Sequence, residues 1–272
     1  MPSTQRRSGR PWPGVLEAIA HEGIPNPALT DRELHDRLIT YLTDANLRSA
    51  DTSIEFLDDT EAERAQRFSR FLARRYYRDR LHRAFHYSTN LVKASNVAAD
   101  VVEIPEFDVI LDGCVLGSLA TAKAVGDLAL SSLRSERTEE WWSEVLNYEF
   151  AFFLQLATLE TTSAGTVPQR ALSTVIHEFQ FQIPEILARL RRGDIPDTNP
   201  RSTTTLLFSR TPHGRIYVVE LDAAAAAVAQ AVDGKRVVGE IAGTVGISLE
   251  ETTRILAELL GINAIVRSFE TG

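Results

Sequence analysis

The sequence predicts a mainly α-helical protein with a small α+β domain at its C-terminus: an N-terminal helical bundle followed by a winged helix-turn-helix. Three observations predict it. Apolar residues recur at helical spacing through most of residues 31–159, as in Leu34, Leu38, Tyr41 and Leu42. Beyond residue 174 the period drops to two, with Val175, His177, Phe179, Phe181 and Ile183 alternating with Glu178, Gln180 and Gln182, a strand pattern. Residues 215–266 then string together a β-rich run, an Asp-started Ala-rich helix, an Asp-Gly turn, a short helix, a Ser-capped third helix and an apolar, strand-like tail.

Taken in order, residues 1–14 carry Arg6, Arg7, Arg10 and a Pro-Trp-Pro-Gly, and are expected to be a disordered lead-in. They lack the apolar segment of a signal peptide. A short helix is expected at 15–22, ended by Pro25 and Pro27, and Thr30 with Glu33 forms a capping box for a helix at 31–47. The longest helix is expected at 60–91, capped by Thr60 and Glu63, with Phe68, Phe71, Leu72, Leu81, Ala84 and Phe85 at helical spacing. A connector at 96–105 leads to helices at 105–111, 116–133 and 139–159. The last of these is apolar on more than one face, as the centre of a bundle would be. After the strand at 174–183, Pro184 opens a helix at 185–192, and the Gly/Asp/Pro-rich stretch 193–200 is the clearest linker. The domains therefore read as 15–198, helical, and 199–272, winged helix. Within the latter, a strand at 203–209, a Pro212-His213-Gly214 turn and a strand at 215–221 form a hairpin. Asp222 caps the Ala-rich helix, Gly234 supplies the positive φ after it, and Ser248 with Glu251 boxes the third helix. That helix has its apolar stripe at Ile255, Leu256, Leu259 and Leu260.

Composition bounds the chemistry. With 272 residues, 44% hydrophobic and 24% charged, the chain has an ordinary globular balance, and its net charge of −8 discourages non-specific nucleic-acid binding. The single Cys114 permits no internal disulfide and no cysteine metal site. No apolar run reaches the length of a membrane span, so a cytoplasmic location is the default expectation. The most conspicuous polar stretch is RRYYRDRLHRAFHY at 74–87. His82 and His86, four apart on a helix, are either metal ligands or surface residues. The arginines with Tyr76 and Tyr77 fit a solvated face, a nucleic-acid contact or a partner-docking face; for docking the candidates are Arg75, Tyr76, Arg78 and Arg83. Glu144, Asn147, Tyr148 and Glu149 sit among aromatics, but no Glu-x-x-His motif accompanies them, which disfavours a ferritin-like iron site. With no phosphate loop and no nucleophile elbow, no catalytic residue, metal ligand or cofactor is predicted in this chain.

Two resemblances add to this. Val219-Glu220-Leu221-Asp222, the Ala-rich run 223–232 and Asp233-Gly234-Lys235-Arg236-Val237-Val238-Gly239-Glu240-Ile241 resemble the small PqqD protein of pyrroloquinoline quinone biosynthesis. More generally they resemble the RiPP recognition element, the domain that binds leader peptides of ribosomally made, post-translationally modified peptides. The resemblance implies that a leader adds as an extra strand to the wing edge, in the groove against the third helix. The peptide-binding residues it implies are Arg215, Ile216, Tyr217, Val218 and Val219 on the strand, with Thr252, Ile255 and Leu259 in the groove and Arg254 and Glu258 on its rim. The helical region, through RFSRFLARRYYRDRLHRAF, residues 142–153 and HEFQFQIPEIL, is similar to partner proteins of multinuclear non-heme iron oxidases in peptide-modification clusters. The 3-thiaglutamate (pearlin-type) pathway, in which the oxidase acts on a cysteine of a carrier peptide, is one such setting.

Together these imply a non-catalytic accessory subunit, heterodimeric with an iron oxidase that carries the iron, presenting a leader peptide, with no nucleic acid or membrane as partner. The alternative is a winged-helix transcription regulator. Against it, residues 201–272 hold seven Lys/Arg and eight Asp/Glu, so the charge that dominates DNA affinity is missing.

Overall fold

The computed structural model describes residues 59–92, 100–112, 114–134, 136–162, 165–195 and 201–267. The lead-in at 1–14, the helices expected at 15–22 and 31–47, and the end of the linker lie outside the described residues. The described chain is mainly helical, with a small sheet region in its C-terminal part. The helical part comprises α1 (Asp59–Ala84), α2 (His86–Val92), a 3-10 turn (Val101–Glu103), α3 (Pro105–Asp112), α4 (Leu119–Arg134) and α5 (Glu140–Ala157). There follow β1 (Gln169–Arg170), β2 (Val175–Phe181), α6 (Ile183–Arg191), β3 (Arg201–Arg210), β4 (Ile216–Leu221), α7 (Ala223–Ala231), α8 (Val238–Val245), α9 (Leu249–Gly261) and β5 (Ile265–Val266).

The bundle core is built on Tyr77, Leu81, Phe85, Phe107, Leu133, Trp142, Leu146 and Phe153, all buried. Helices α4 and α5 approach closely at Gly126, where a Cβ would lie 2.4 Å from the Phe150 ring. The single helix expected over 60–91 is two. At the break, the Tyr87 and Ser88 N–H groups donate to the Glu149 carboxylate of α5, at 2.5 and 3.1 Å. A side chain inserted into the i→i−4 ladder is a known cause of a kink, and here it serves as a cap for α2. Burial, opposed by those hydrogen bonds, pushes the Glu149 carboxyl up to about 8.

The C-terminus of α5 is closed in a way that periodicity does not announce. Its last carbonyls have no partner within the helix. Arg210 of β3 donates to the carbonyls of Gln155 (3.2 Å) and Thr158 (2.7 Å), Arg80 to that of Leu156 (2.9 Å), and the Tyr76 hydroxyl to that of Ala157 (2.8 Å). Two guanidinium groups at a helix C-terminus also suit its dipole. The Arg80 group lies 3.3 Å from the Tyr76 ring centre, so the cluster is packed as well as hydrogen-bonded.

The three-stranded antiparallel sheet has the order β2-β3-β4. It spans the domain boundary expected at residue 198: β2, on the helical side of the linker, is hydrogen-bonded to β3 beyond it, and β1 pairs with β5. Each face of the sheet meets a different core. Phe179, Leu206 and Phe208, with Val218 against them, face the bundle, and Tyr148 of α5 meets the Phe208 ring edge-on at 5.3 Å. Leu207, with Ile176 and Leu221, faces the second core formed by α7, α8 and α9 around Val228, Ile241, Ile255 and Leu259. Because both faces are covered, β3 reads as a continuous apolar run at Leu206-Leu207-Phe208 rather than as an alternation.

Local signals in the C-terminal part act as expected, with adjustments. Asp222 Oδ1 accepts from Ala225 N–H (2.8 Å) and Ser248 Oγ from Glu251 N–H (3.1 Å). The capping box at Ser248 is half made, because the Glu251 carboxylate is engaged by Arg254 instead. Helix α7 stops at Ala231, and Asp233 turns the chain by accepting from the N–H groups of Lys235 and Arg236. Gly234, at φ +80°, donates to the Pro168 carbonyl, which ties this turn to the segment before β1.

Candidate functional site

The strand order leaves β2 and β4 as the two edges of the sheet. Thr211 N–H donates to the Arg215 carbonyl at 2.9 Å, and the register pairs Ser209 with Tyr217, Leu207 with Val219 and Thr205 with Leu221. Alternation in an antiparallel ladder then aims Tyr217, Val219 and Leu221 at β3, and turns the N–H and C=O groups of Ile216, Val218 and Glu220 outward. Among the described residues, β4 has β3 as its only strand neighbour.

The other edge is treated differently. The β2 ladder is shifted by a bulge between Phe179 and Phe181, and the outward N–H of Gln180 donates to the Glu144 carboxylate of α5 at 3.1 Å. Strand β2 then runs at once into α6, with Pro184 in its first turn. Bulges, side-chain plugs and proline are the usual means of blunting an edge. At β4 the described residues supply none of them.

Helix α9 lies over the sheet face that carries Tyr217 and Val219. Its C-terminal end is held there by Ser209 Oγ donating to the Ile262 carbonyl (2.8 Å) and by the Asn263 amide donating to the Arg210 carbonyl (2.7 Å). Its N-terminal turn is near Asp222, whose charge opposes the lowering that the Arg254 hydrogen bond imposes on the Glu251 carboxyl. The helix therefore runs antiparallel to β4. Tyr217 and Val219 are half-buried on this side, and Arg215, in the turn just before β4, is exposed with its guanidinium 4.8 Å from the Tyr217 ring centre.

The three groove positions expected on this helix are placed otherwise. Thr252 is fully buried, and Ile255 and Leu259 are part of the second core, so these side chains hold the helix to the sheet and are not open to a ligand. The spacing of a core stripe and of a groove stripe is the same, which is why the sequence does not separate them. Arg254 and Glu258 are exposed as a rim would be. Arg254 bridges Glu251 (2.6 Å) and Glu258 (2.5 Å), so the one cation of α9 is neutralised twice over and the helix surface is net acidic. Such a surface repels phosphate.

The arginine-rich stretch of α1 is divided. Tyr76 is half-buried on the end of α5, and Arg78 pairs with Glu103, while Arg75 and Arg83 are exposed. His82 and His86 are exposed but fall on opposite sides of the break at Phe85, His86 lying beside the Asn90 amide at 3.3 Å. Among the described residues, no group of three or more His, Cys, Asp or Glu side chains is placed to hold a metal ion, and no helix is long and apolar enough to cross a membrane. Cys114 is buried. Sequence reasoning named Glu144 and the arginine-rich stretch that holds Arg80, but missed what Glu144, Arg80 and Arg210 do, since their roles depend on pairings between segments far apart in the chain. No protein-family model matches this chain, and no curated protein matches it.

Proposed function

We propose that this chain is a non-catalytic accessory subunit that binds the leader of a ribosomally made precursor peptide as a fourth strand on β4. On this view it presents the peptide to a multinuclear non-heme iron oxidase that modifies a cysteine, and the iron belongs to that partner. The observation that carries the proposal is the contrast between a blunted β2 edge and an open β4 edge lying beside α9. Main-chain hydrogen bonds from Ile216, Val218 and Glu220 supply affinity, and the Tyr217 and Val219 side supplies selectivity. The work of the chain is positional: tethering turns a two-body encounter between peptide core and oxidase into an intramolecular one and raises the effective concentration. The exposed Arg75 and Arg83 of α1 are the proposed docking residues for the oxidase. The resemblance to PqqD-like recognition elements points the same way.

The test is co-expression with an iron oxidase encoded beside the chain and with its precursor peptide, followed by sizing and metal analysis. The expected result is a stable one-to-one complex with iron in the oxidase alone, and peptide capture lost on Val218→Pro. A lone dimer that shifts duplex DNA at physiological salt would replace this function with that of a regulator.

A further inference from the structure

The charges at the two ends of β4 are of opposite sign. At the hairpin end stands Arg215, exposed and stacked on Tyr217, with no carboxylate partner among the described residues. At the other end are the exposed Glu220 and Asp222. Between the ends, the side facing α9 presents Tyr217 and Val219, both half-buried. Side chains of one strand share a face at every second residue, so Arg215, Tyr217, Val219 and Leu221 form one row, and a strand laid alongside meets that row with its own alternate residues.

We infer that the β4 edge selects a six-residue peptide segment of fixed polarity: a basic residue opposite Glu220, apolar residues opposite Val219 and Tyr217, and an acidic residue opposite Arg215. The segment runs antiparallel, as every strand pair of this sheet does, so it reads basic-apolar-x-apolar-x-acidic from its N-terminus, with the basic side chain on the opposite face from the other three. Its residues opposite Ile216, Val218 and Glu220 take the outward backbone groups there, and only the one opposite Glu220 is selected by charge. This inference rests on peptide addition at β4. It adds which peptides are accepted, since like charges opposite one another on neighbouring strands are destabilising and opposite charges help.

The test is to pan a phage library of random nine-residue peptides against the full chain, with the Val218→Pro chain as counter-selection. The strongest peptide is then titrated against the full chain and against Arg215→Glu. The expected result is a pool with a basic residue five positions before an acidic one. Arg215→Glu should weaken binding about fivefold, and a peptide carrying Lys in place of the acidic residue should recover it. A pool that depends on Val218 but is indifferent to charge order, or has it reversed, overturns the polarity and leaves the edge as the site. A pool retained equally by Val218→Pro, or no pool at all, overturns the edge itself. Arg215 lies on the surface, so its substitution reports on the peptide even where proline disturbs folding.

Discussion

One sheet of this protein has two edges treated in opposite ways. At β2 a bulge, a carboxylate on the Gln180 N–H and an abrupt turn into a proline-led helix leave little for another strand to pair with. At β4 the N–H and C=O groups of Ile216, Val218 and Glu220 face away from β3, and the described residues bring no second strand to them. Folded proteins usually protect both edges. The lesson of the difference is that the means of closure were at hand: α5 plugs Gln180 with Glu144 and plugs Tyr87 and Ser88 with Glu149. An edge left open beside one so closed is what the proposed peptide addition requires.

The sharpest way to break this comparison is with proline on β4, because neighbouring positions should behave differently. Tyr217→Pro removes an N–H that the register assigns to the β3 ladder, and should cost about 2 kcal/mol or more, a drop of roughly 4–8 °C in Tm by calorimetry. Val218→Pro removes an outward N–H, which an edge strand tolerates. It should leave Tm within about 3 °C while weakening captured peptide about tenfold by titration. Equal effects of the two on stability would show that the edge is already paired.

The next effect concerns the buried plug. The Glu149 carboxyl, ordinarily at 4.5, is raised by burial to about 8 in the fold, so folding holds a proton that the unfolded chain releases more readily. The stability associated with this group is therefore present below about pH 4.5 and is lost as pH rises through about 8. Urea midpoints should fall across that window, and Glu149→Gln, which cannot titrate there, should flatten the fall. A profile unchanged by Glu149→Gln would assign the pH dependence to other groups.

Smaller still is the effect expected from opening the closed edge. Glu144→Ala leaves the Gln180 N–H without its acceptor and should cost about 1 kcal/mol in urea denaturation. If the plug has a protective role, the variant should also self-associate at concentrations where the parent does not, as seen by sedimentation. Smallest of all is Arg254→Ala on the α9 rim. Its ion pairs are solvent-exposed, and such pairs contribute little. The urea midpoint should not move measurably, while the salt dependence of peptide association should change.

Much of the local structure was legible in the sequence, because caps and strand periodicity are written in neighbouring residues. Asp222 and Ser248 cap the helices that they precede, and the period-two run around Val175 and Phe179 is a strand. What was not legible depends on which segments meet. Nothing near residue 180 announces that its strand pairs across the linker with β3, and nothing near Phe85 announces that Glu149, more than sixty residues later, will interrupt the helix. Arg80 and Arg210 are ordinary polar positions until the end of α5 arrives between them. The β4 side of the candidate site was readable as a strand, whereas Thr252, Ile255 and Leu259 follow the same helical period whether they face a core or a ligand.

Helical layers reach β4 from both sides, Val218 packing on one and Leu221 on the other. Neighbouring strands lie about 5 Å apart, while layers stacked face to face are about 10 Å apart. A chain added at this edge would enter between those two layers, and such a gap would sort by thickness. A single extended chain can slide in along it, but a folded protein offering its own edge strand would bring a second sheet and its cover into collision with α9 or the bundle. On the proposed function, such an aperture would admit its guest before that guest has folded, setting an order in time as well as a fit in space.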